Sequence, residues 1–198
     1  MREPENIRAV GATRPDWLGF IFYPGSPRYV GPGFEIPADL PPSVKRVGVF
    51  VDETLDEVIK TVQHHHLDLA QLHGEETVAD CTALKAQGLR LIKVFRVDAH
   101  FDFSATEVFL PVADYFLFDT KGVHYGGNAR PFDWTLLEKY KGNVPFILSG
   151  GLTPANISLV KNLKHDWLMG VDLNSGVEQA PGRKDLKKIT DTLNQLRS

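Results

Sequence analysis

Residues 144–160 read VPFILSGGLTPANISLV, and this stretch predicts one complete strand–turn–helix unit. Its apolar beginning has the composition of a buried strand, and the two glycines after it are typical of a turn. Thr153 and Pro154 suit a helix start, because a hydroxyl can cap the first turn and proline is favoured at the first helical position. Ile157 and Val160 then recur at helical spacing. Such a unit is the building block of an α/β fold with a parallel sheet.

Six further apolar runs have the same character. They are WLGFIF (17–22), VKRVGVFVD (44–52), LDLAQLHG (67–74), LRLIKVFRV (89–97), YFLFDT (115–120) and WLMGVDLNSG (167–176). Runs that are apolar on both faces are typical of parallel strands covered by helices. Segments with helical spacing lie between most of them, at 55–62, 78–88 and 134–142, and another at 185–196 closes the chain. This alternation predicts one α/β domain over residues 1–198.

Seven candidate strands, preceded by a helix-like opening at 4–10, predict a (β/α)8 TIM barrel with strand 1 missing from this chain. An open doubly wound sheet usually has fewer strands, and its first turn often carries a glycine-rich nucleotide loop. Neither GxGxxG nor GxxxxGK[ST] occurs in the sequence, so the barrel is favoured. The proline-rich stretch 24–42 predicts a long loop after the first visible strand, and long barrel loops are often functional.

The composition narrows the class of protein. The chain has 198 residues, a net charge of -3 and 42% hydrophobic residues, which argues against a broad nucleic-acid-binding surface. A single cysteine, Cys81, excludes an intrachain disulfide and favours a cytoplasmic location. The N-terminus has no apolar signal-peptide core, and no apolar run approaches the roughly 20 residues of a membrane helix. We therefore expect a cytoplasmic protein that binds neither nucleic acid nor membrane.

Polar residues come directly after the predicted strands, where a barrel of this kind has its active site. They include Ser26 and Arg28, Asp52, Gln71 and His73, Arg96, Asp119, Ser149 and Asp172. Asp52 precedes Glu53 at a helix start and is interpreted as a helix cap. The strongest signal is the pair of small-residue turns, Ser149-Gly150-Gly151 and Asn174-Ser175-Gly176, after the last two strands. Such turns expose backbone N–H groups to an anion, so they predict a phosphorylated small-molecule substrate; two plain glycine turns are the alternative.

Two further residues are candidates for chemistry. Asp119 ends an apolar run, and a carboxyl group in that setting suits a general acid, although a capping or salt-bridged aspartate is an equal alternative. Arg28, in the segment SPRYV, offers a planar bidentate donor for a carboxylate, with a surface arginine as the alternative. The glycine-rich stretch GVHYGG (122–127) is expected to be mobile and to cover a ligand.

Other conspicuous residues are interpreted as structural. The three histidines His64, His65 and His66 are expected to be solvated at a helix C-terminus, because consecutive residues on a helix point in different directions. No metal or cofactor is predicted. Cys81 falls on the apolar stripe of a helix and is expected to be an inert core residue, and the three tryptophans are expected to pack.

Seven motifs together resemble the phosphoribosylanthranilate isomerase family. They are GFIFYPGSPRYV (19–30), VGVFVDE (47–53), QLHGEE (71–76), FDTKGVHYGG (118–127), FDW (132–134), ILSGGLTPANI (147–157) and GVDLNSGVE (170–178), in the family's order. The resemblance implies a (β/α)8 barrel without metal or organic cofactor. It also implies an Amadori rearrangement that converts N-(5-phosphoribosyl)anthranilate into 1-(2-carboxyphenylamino)-1-deoxyribulose 5-phosphate in tryptophan biosynthesis.

The resemblance also implies a role for each matching residue. Asp119 would be the general acid that opens the furanose ring, and Arg28 would hold the anthranilate carboxylate. Asp172 would line the pocket near the sugar. The phosphate would be held by Gly150, Gly151, Ser175 and Gly176. A monomer and a homodimer both fit the family.

One family feature is absent. The family's general base is a cysteine in a Cys-Gly motif at the end of strand one, and MREPENIRAV resembles the segment directly after that motif. The chain as written is therefore expected to be impaired, because the natural protein is longer or because it is a catalytically inactive phosphate-sugar-binding barrel. Indole-glycerol-phosphate synthase is a third candidate, but the matching motifs place no lysine acid for that ring closure.

Overall fold

The fold was obtained as a computed structural model that describes residues 1–120 and 133–197. Seven parallel strands pair in chain order to form the main sheet. Their bounds are β1 Trp17–Ile21, β2 Lys45–Phe50, β3 Leu69–Leu72, β4 Leu91–Val97, β5 Tyr115–Thr120, β6 Phe146–Leu148 and β7 Leu168–Val171. Each predicted apolar run is thus confirmed as a strand. A small antiparallel ribbon, β8 Glu178–Ala180 with β9 Arg183–Lys184, was not predicted.

Within these two ranges, four α-helices and four 3-10 helices connect or flank the strands. The α-helices are α1 Pro4–Gly11, α2 Leu55–His64, α3 Val78–Ala86 and α4 Leu186–Arg197. The 3-10 helices are Phe103–Phe109, Trp134–Lys139, Ile157–Asn162 and Ser175–Val177. The two segments predicted as α-helices after 134 and after Thr153 are therefore short 3-10 turns, whose tighter i to i+3 bonds suit brief connections.

Two predicted helix caps are wrong, for reasons of hydrogen bonding. The Thr153 hydroxyl contacts Asn156 Oδ1 at 3.2 Å, and the Asn156 amide donates to the Gly151 carbonyl at 2.9 Å, so these side chains close the turn and do not cap a helix. Asp52 accepts a hydrogen bond from the backbone N–H of Glu75 at 2.6 Å and so joins the ends of β2 and β3. The cap of α2 is Thr54, whose side chain accepts from the third residue of the helix.

The sheet is curled around an inner apolar cluster. Val47, Leu69, Ile92, Leu117 and Ile147, from five different strands, pack together on one face with Val94. Trp17 of β1 and Gly170 of β7 line one common cavity with Val47 and Ile147, so the sheet bends round on itself. The other face packs against helices, and its largest cluster contains buried aromatic residues of β5, β6 and the segment after Trp134.

The curled sheet is open between its first and last strands. Among the described residues, β7 pairs only with β6, and β1 pairs with β2 and forms one isolated bridge, between Ile21 and Tyr29. The described part of the chain contains no helix that is long and apolar enough to cross a membrane.

A buried ion pair holds the ends of β2, β3 and β4 together. Lys93 Nζ lies 2.7 Å from Glu76 Oε2, and the two side chains are 5% and 6% exposed. The Glu76 carboxylate also accepts from the backbone N–H groups of Asp52 and Gly74, and Lys93 donates to the Gly74 carbonyl at 2.8 Å. Glu76 therefore satisfies the buried ammonium group of Lys93 and two backbone donors that follow β2 and β3.

Replacing Glu76 with alanine should strongly destabilise the fold. Removing one partner of a buried pair leaves an uncompensated charge, so Glu76→Ala should lower the free energy of unfolding by about 3–5 kcal/mol. Asp191→Ala is the control, because its partner Lys187 is 83% exposed. This substitution should lower the free energy of unfolding by only about 0.5 kcal/mol. Urea denaturation measures the free energy of unfolding of both variants. Equal losses would contradict a larger contribution of the buried pair to stability.

Candidate active site

A cavity of about 680 Å³ lies along the inner face of the sheet and reaches the carboxyl ends of the strands. All seven predicted site residues line it: Arg28, Asp119, Gly150, Gly151, Asp172, Ser175 and Gly176. The carboxyl ends of parallel strands meet at one edge of a sheet, and this is why residues far apart in the chain share the cavity.

Strand β5 directs Asp119 into this cavity. Side chains alternate along a strand, so Asp119 points to the same side as Leu117, which belongs to the inner cluster. Asp119 is 5% exposed, and its Oδ1 accepts from the backbone N–H of Thr120 at 2.9 Å. Its Oδ2 lies 3.4 Å from Nε2 of His73, which comes directly after β3 and contacts Gln71 through its other ring nitrogen. His73 is therefore an ionisable side chain in direct contact with the predicted general acid.

The two small-residue turns lie against each other. A Cβ at Gly176 would collide with the carbonyl oxygen of Leu152, directly after the first turn. Gly150 has a φ of 91°, in the left-handed region, and a Cβ there would collide with Thr120 Oγ1. The turns after β6 and β7 and the end of β5 therefore meet at one place, as the sequence predicted.

Asp172 joins the same turns through its carboxylate. Ser149 Oγ donates to Asp172 Oδ2 at 3.0 Å, and the Asp172 backbone N–H donates to the carbonyl of Leu148 at 2.8 Å. Burial raises the pKa of the Asp172 carboxyl and Asp119 adds to the rise, whereas Lys184 and the Ser149 hydrogen bond oppose it. The site therefore favours the protonated form of Asp172 more than water does.

Arg28 is buried, and its partner was not predicted. It is 9% exposed, and its Nε and Nη2 form a bidentate pair with the carboxylate of Glu178 at 3.0 and 2.7 Å. Lys184 Nζ lies 3.1 Å from Glu178 Oε1 and 2.7 Å from Asn174 Oδ1. Although burial alone would raise it, Arg28 and Lys184 hold the pKa of Glu178 below its usual value, and burial lowers the pKa of Lys184.

Sequence reasoning missed Glu178 and Lys184 as members of the site. Glu178 stood at the end of the motif GVDLNSGVE without a role, and Lys184, six residues later, was not singled out. No local sequence signal marks them, because their burial and their pairing are visible only in the fold, and such charged residues are rarely buried unless paired.

Other predictions about individual residues have mixed outcomes. Cys81 lies in α3, fully buried and away from the cavity, and burial raises the pKa of its thiol to about 11, as expected of an inert core residue. Trp167 is 40% exposed, so the prediction that it packs in the interior is wrong. The stretch 122–127 lies outside the described residues.

One group of side chains in the described ranges could hold a metal ion, and it lies outside the cavity. It consists of Glu35, His64 and His65. Burial lowers the pKa of His65, and the neighbouring His64 lowers it further. The expectation that neighbouring histidines diverge is wrong for this pair, because α2 ends at His64 and the next residue leaves the helical path.

Comparison with known proteins agrees with the geometry. The profile of the family described as N-(5'phosphoribosyl)anthranilate (PRA) isomerase matches residues 2–195. N-(5'-phosphoribosyl)anthranilate isomerase from Phocaeicola vulgatus is 46% identical over 197 residues, which cover 100% of this chain and 95% of that relative.

Solved structures show the same similarity. Phosphoribosyl anthranilate isomerase from Thermus thermophilus has a TM-score of 0.84 and 29% identity, with 100% of this chain and 95% of that chain covered. A phosphoribosyl anthranilate isomerase in complex with reduced 1-(o-carboxyphenylamino)-1-deoxyribulose 5-phosphate has a TM-score of 0.82 and 31% identity at the same coverage. The chain therefore belongs to the phosphoribosylanthranilate isomerase family, which catalyses an isomerisation in tryptophan biosynthesis.

Proposed function

We propose that the cavity at the strand ends is where this chain isomerises N-(5-phosphoribosyl)anthranilate, with Asp119 as the general acid. The observation that carries the proposal is the meeting of Asp119 with the two small-residue turns in one cavity. The related structure that holds a reduced form of the product supports the same class of ligand.

The position of Asp119 in the cavity supports a role in ring opening. It gives its proton to the furanose ring oxygen while the C1′–O bond breaks, and the aniline nitrogen supplies the electron pair that forms an iminium ion. A base then removes the C2′ proton, and the resulting enolamine becomes the ketone product. His73, 3.4 Å from Asp119, is in a position to orient the carboxyl group for the first step.

The phosphate is assigned to the paired turns. Gly150, Gly151, Ser175 and Gly176 offer backbone N–H groups, and small residues let a phosphate approach them closely. Lys184, bonded to Asn174 in the second turn, adds positive charge beside them. Asp172 lies between the turns and Asp119 and is assigned to the wall near the sugar.

Arg28 is assigned to the anthranilate carboxylate. Its pair with Glu178 uses Nε and Nη2, so the substrate carboxylate would bind Nη1. Glu178 would then fix the plane of the guanidinium group, because a bidentate pair allows little rotation.

Among the described residues, the first and last strands of the sheet are not paired with each other. We propose that the curled sheet is that of a (β/α)8 barrel within a single domain, 1–198, in which a strand ending in Cys-Gly fits between β1 and β7. The open edges support this, and so do Val10, Leu168 and Ile189, which give the cavity an apolar wall in that region. The cysteine of such a strand would supply the general base of the reaction, whereas an inactive phosphate-sugar-binding barrel would bind the same ligand without turnover.

Extending the chain by a strand that ends in Cys-Gly should restore turnover. The chain as written should be slower by roughly 10²–10⁴-fold, the usual contribution of a positioned base, and Asp119→Asn in the extended chain should lower kcat by a similar factor. An extension ending in Ala-Gly is the matched control, because it supplies the strand without the thiol. The rate of product formation is measured and compared for all four proteins.

The outcomes separate the alternatives. Equal rates for the Cys-Gly and Ala-Gly extensions would reject the cysteine as base, and full activity of Asp119→Asn would reject the acid. An extended protein that binds the substrate without turnover would support the inactive barrel.

A negative charge in the second turn should repel phosphate. Ser175→Asp should weaken the binding of inorganic phosphate at least about tenfold, because like charges at a binding surface cost several kcal/mol. Ser175→Ala leaves the charge unchanged and should lose less of the affinity for phosphate than Ser175→Asp does. Calorimetric titration compares the three proteins, and unchanged affinity in Ser175→Asp would remove this turn from the phosphate site.

The free energy of unfolding of Asp172→Asn should increase, relative to that of the original protein, as the pH rises. The folded pKa of Asp172 is raised, so the folded chain holds a proton that the unfolded chain releases, and stability falls as pH rises through that interval. An asparagine side chain does not titrate, so Asp172→Asn does not lose stability in this way. Unfolding measured from pH 4 to pH 8 should show the difference growing with pH, and a difference that shrinks would mean that Lys184 and Ser149 stabilise the carboxylate.

A further inference from the structure

A group of three side chains joins the long loop after β1 to the end of α2. Glu35 comes from the loop at 24–42, and His64 and His65 come from the helix end. His64 Nε2 lies 3.2 Å from Glu35 Oε1, and the candidate ligand atoms of the three residues all lie within 4.8 Å of one another. Two imidazoles and a carboxylate are a common donor set for a borderline divalent cation such as zinc.

The spacing of these atoms suits such a cation. Bonds of about 2.0–2.2 Å in a tetrahedral site put neighbouring ligand atoms about 3.3 Å apart. The pair formed by His64 and Glu35, at 3.2 Å, already has this spacing. All three ligand atoms lie within 4.8 Å of one another, so they need to close by about 1.5 Å at most, which rotation of the exposed His64 and Glu35 side chains supplies.

The backbone explains why two consecutive histidines converge. The helix ends at His64, and His65 has φ -91° and ψ 3° while His66 has a φ of 50°. This departure from the helix brings the His64 and His65 rings to 4.6 Å between centroids. His66 does not belong to the group of candidate ligands found among the described residues.

The His65 ring is held in place on its other side. It packs against Phe22 and Phe34, with centroid distances of 5.0 and 6.0 Å. Its Nδ1 is shielded from water and has no hydrogen-bond partner, and a bound ion is one of the explanations for a buried polar atom in this state. One ligand of the group is therefore fixed before any cation arrives.

We propose that Glu35, His64 and His65 form a binding site for a zinc-like divalent cation, with water completing the coordination. The cation would fasten the loop that carries Arg28 to the end of α2. The three ligands do not line the cavity, so the role of the cation is structural and it touches no reacting atom. A hydrogen-bonded pair of His64 and Glu35 without a cation is the competing interpretation.

Titration of the untagged full chain with zinc chloride tests the proposal. We expect one zinc per chain, and a weakening of at least about tenfold in both His64→Ala and Glu35→Gln, since even outer-shell partners cost that much. His66→Asn is the matched control, because it removes a neighbouring histidine and asparagine tolerates a positive φ. It should bind zinc as the original protein does.

Thermal unfolding supplies a second measurement. Zinc should raise the midpoint of the original protein and of His66→Asn by stabilising the folded state, and it should have less effect on the other two variants. Magnesium, which prefers oxygen ligands, should have no effect. The proposal would be overturned if the original protein did not bind zinc, or if His64→Ala and Glu35→Gln bound it as tightly as His66→Asn.

Discussion

The candidate site depends on the close approach of Gly176 to the carbonyl of Leu152. No side chain fits between them, so the turn after β7 can lie against the turn after β6 only with glycine at this position. Gly150 makes a second approach of this kind to Thr120, beside Asp119. These are steric constraints on the backbone, and unlike ion pairs they do not vary with pH or salt. They fix the relative positions of Asp119 and the backbone N–H groups of the two turns.

A buried ionic network supports this steric frame. Arg28, Glu178 and Lys184 link the loop after β1, the β8–β9 ribbon and the turn at Asn174. Buried charges are tolerated only when each has its partner, so loss of one member affects the other two. Any carboxylate that enters beside Arg28 meets a guanidinium that already has a partner, and the geometry of its approach is correspondingly restricted.

The sequence predicted the features that depend on local pattern. All seven strands were predictable because their apolar runs suit a doubly covered parallel sheet, and the strand-end residues could be inferred because such ends converge. The turns at Trp134–Lys139 and Ile157–Asn162 were mistaken for α-helices, because over so few residues the apolar spacing of the two helix types is the same. The partner of Arg28 is 150 residues away, and no local pattern encodes such a contact.

The pairing of the strands in chain order has a consequence for synthesis. Each strand of the sheet finds its neighbour in the segment made just before it, so the sheet can grow by one strand at a time as the chain leaves the ribosome. Every intermediate in that growth ends in an unpaired strand, with exposed amides ready to bond to another nascent molecule. A pause in translation within a connecting segment prolongs the time for which such an edge stays unpaired.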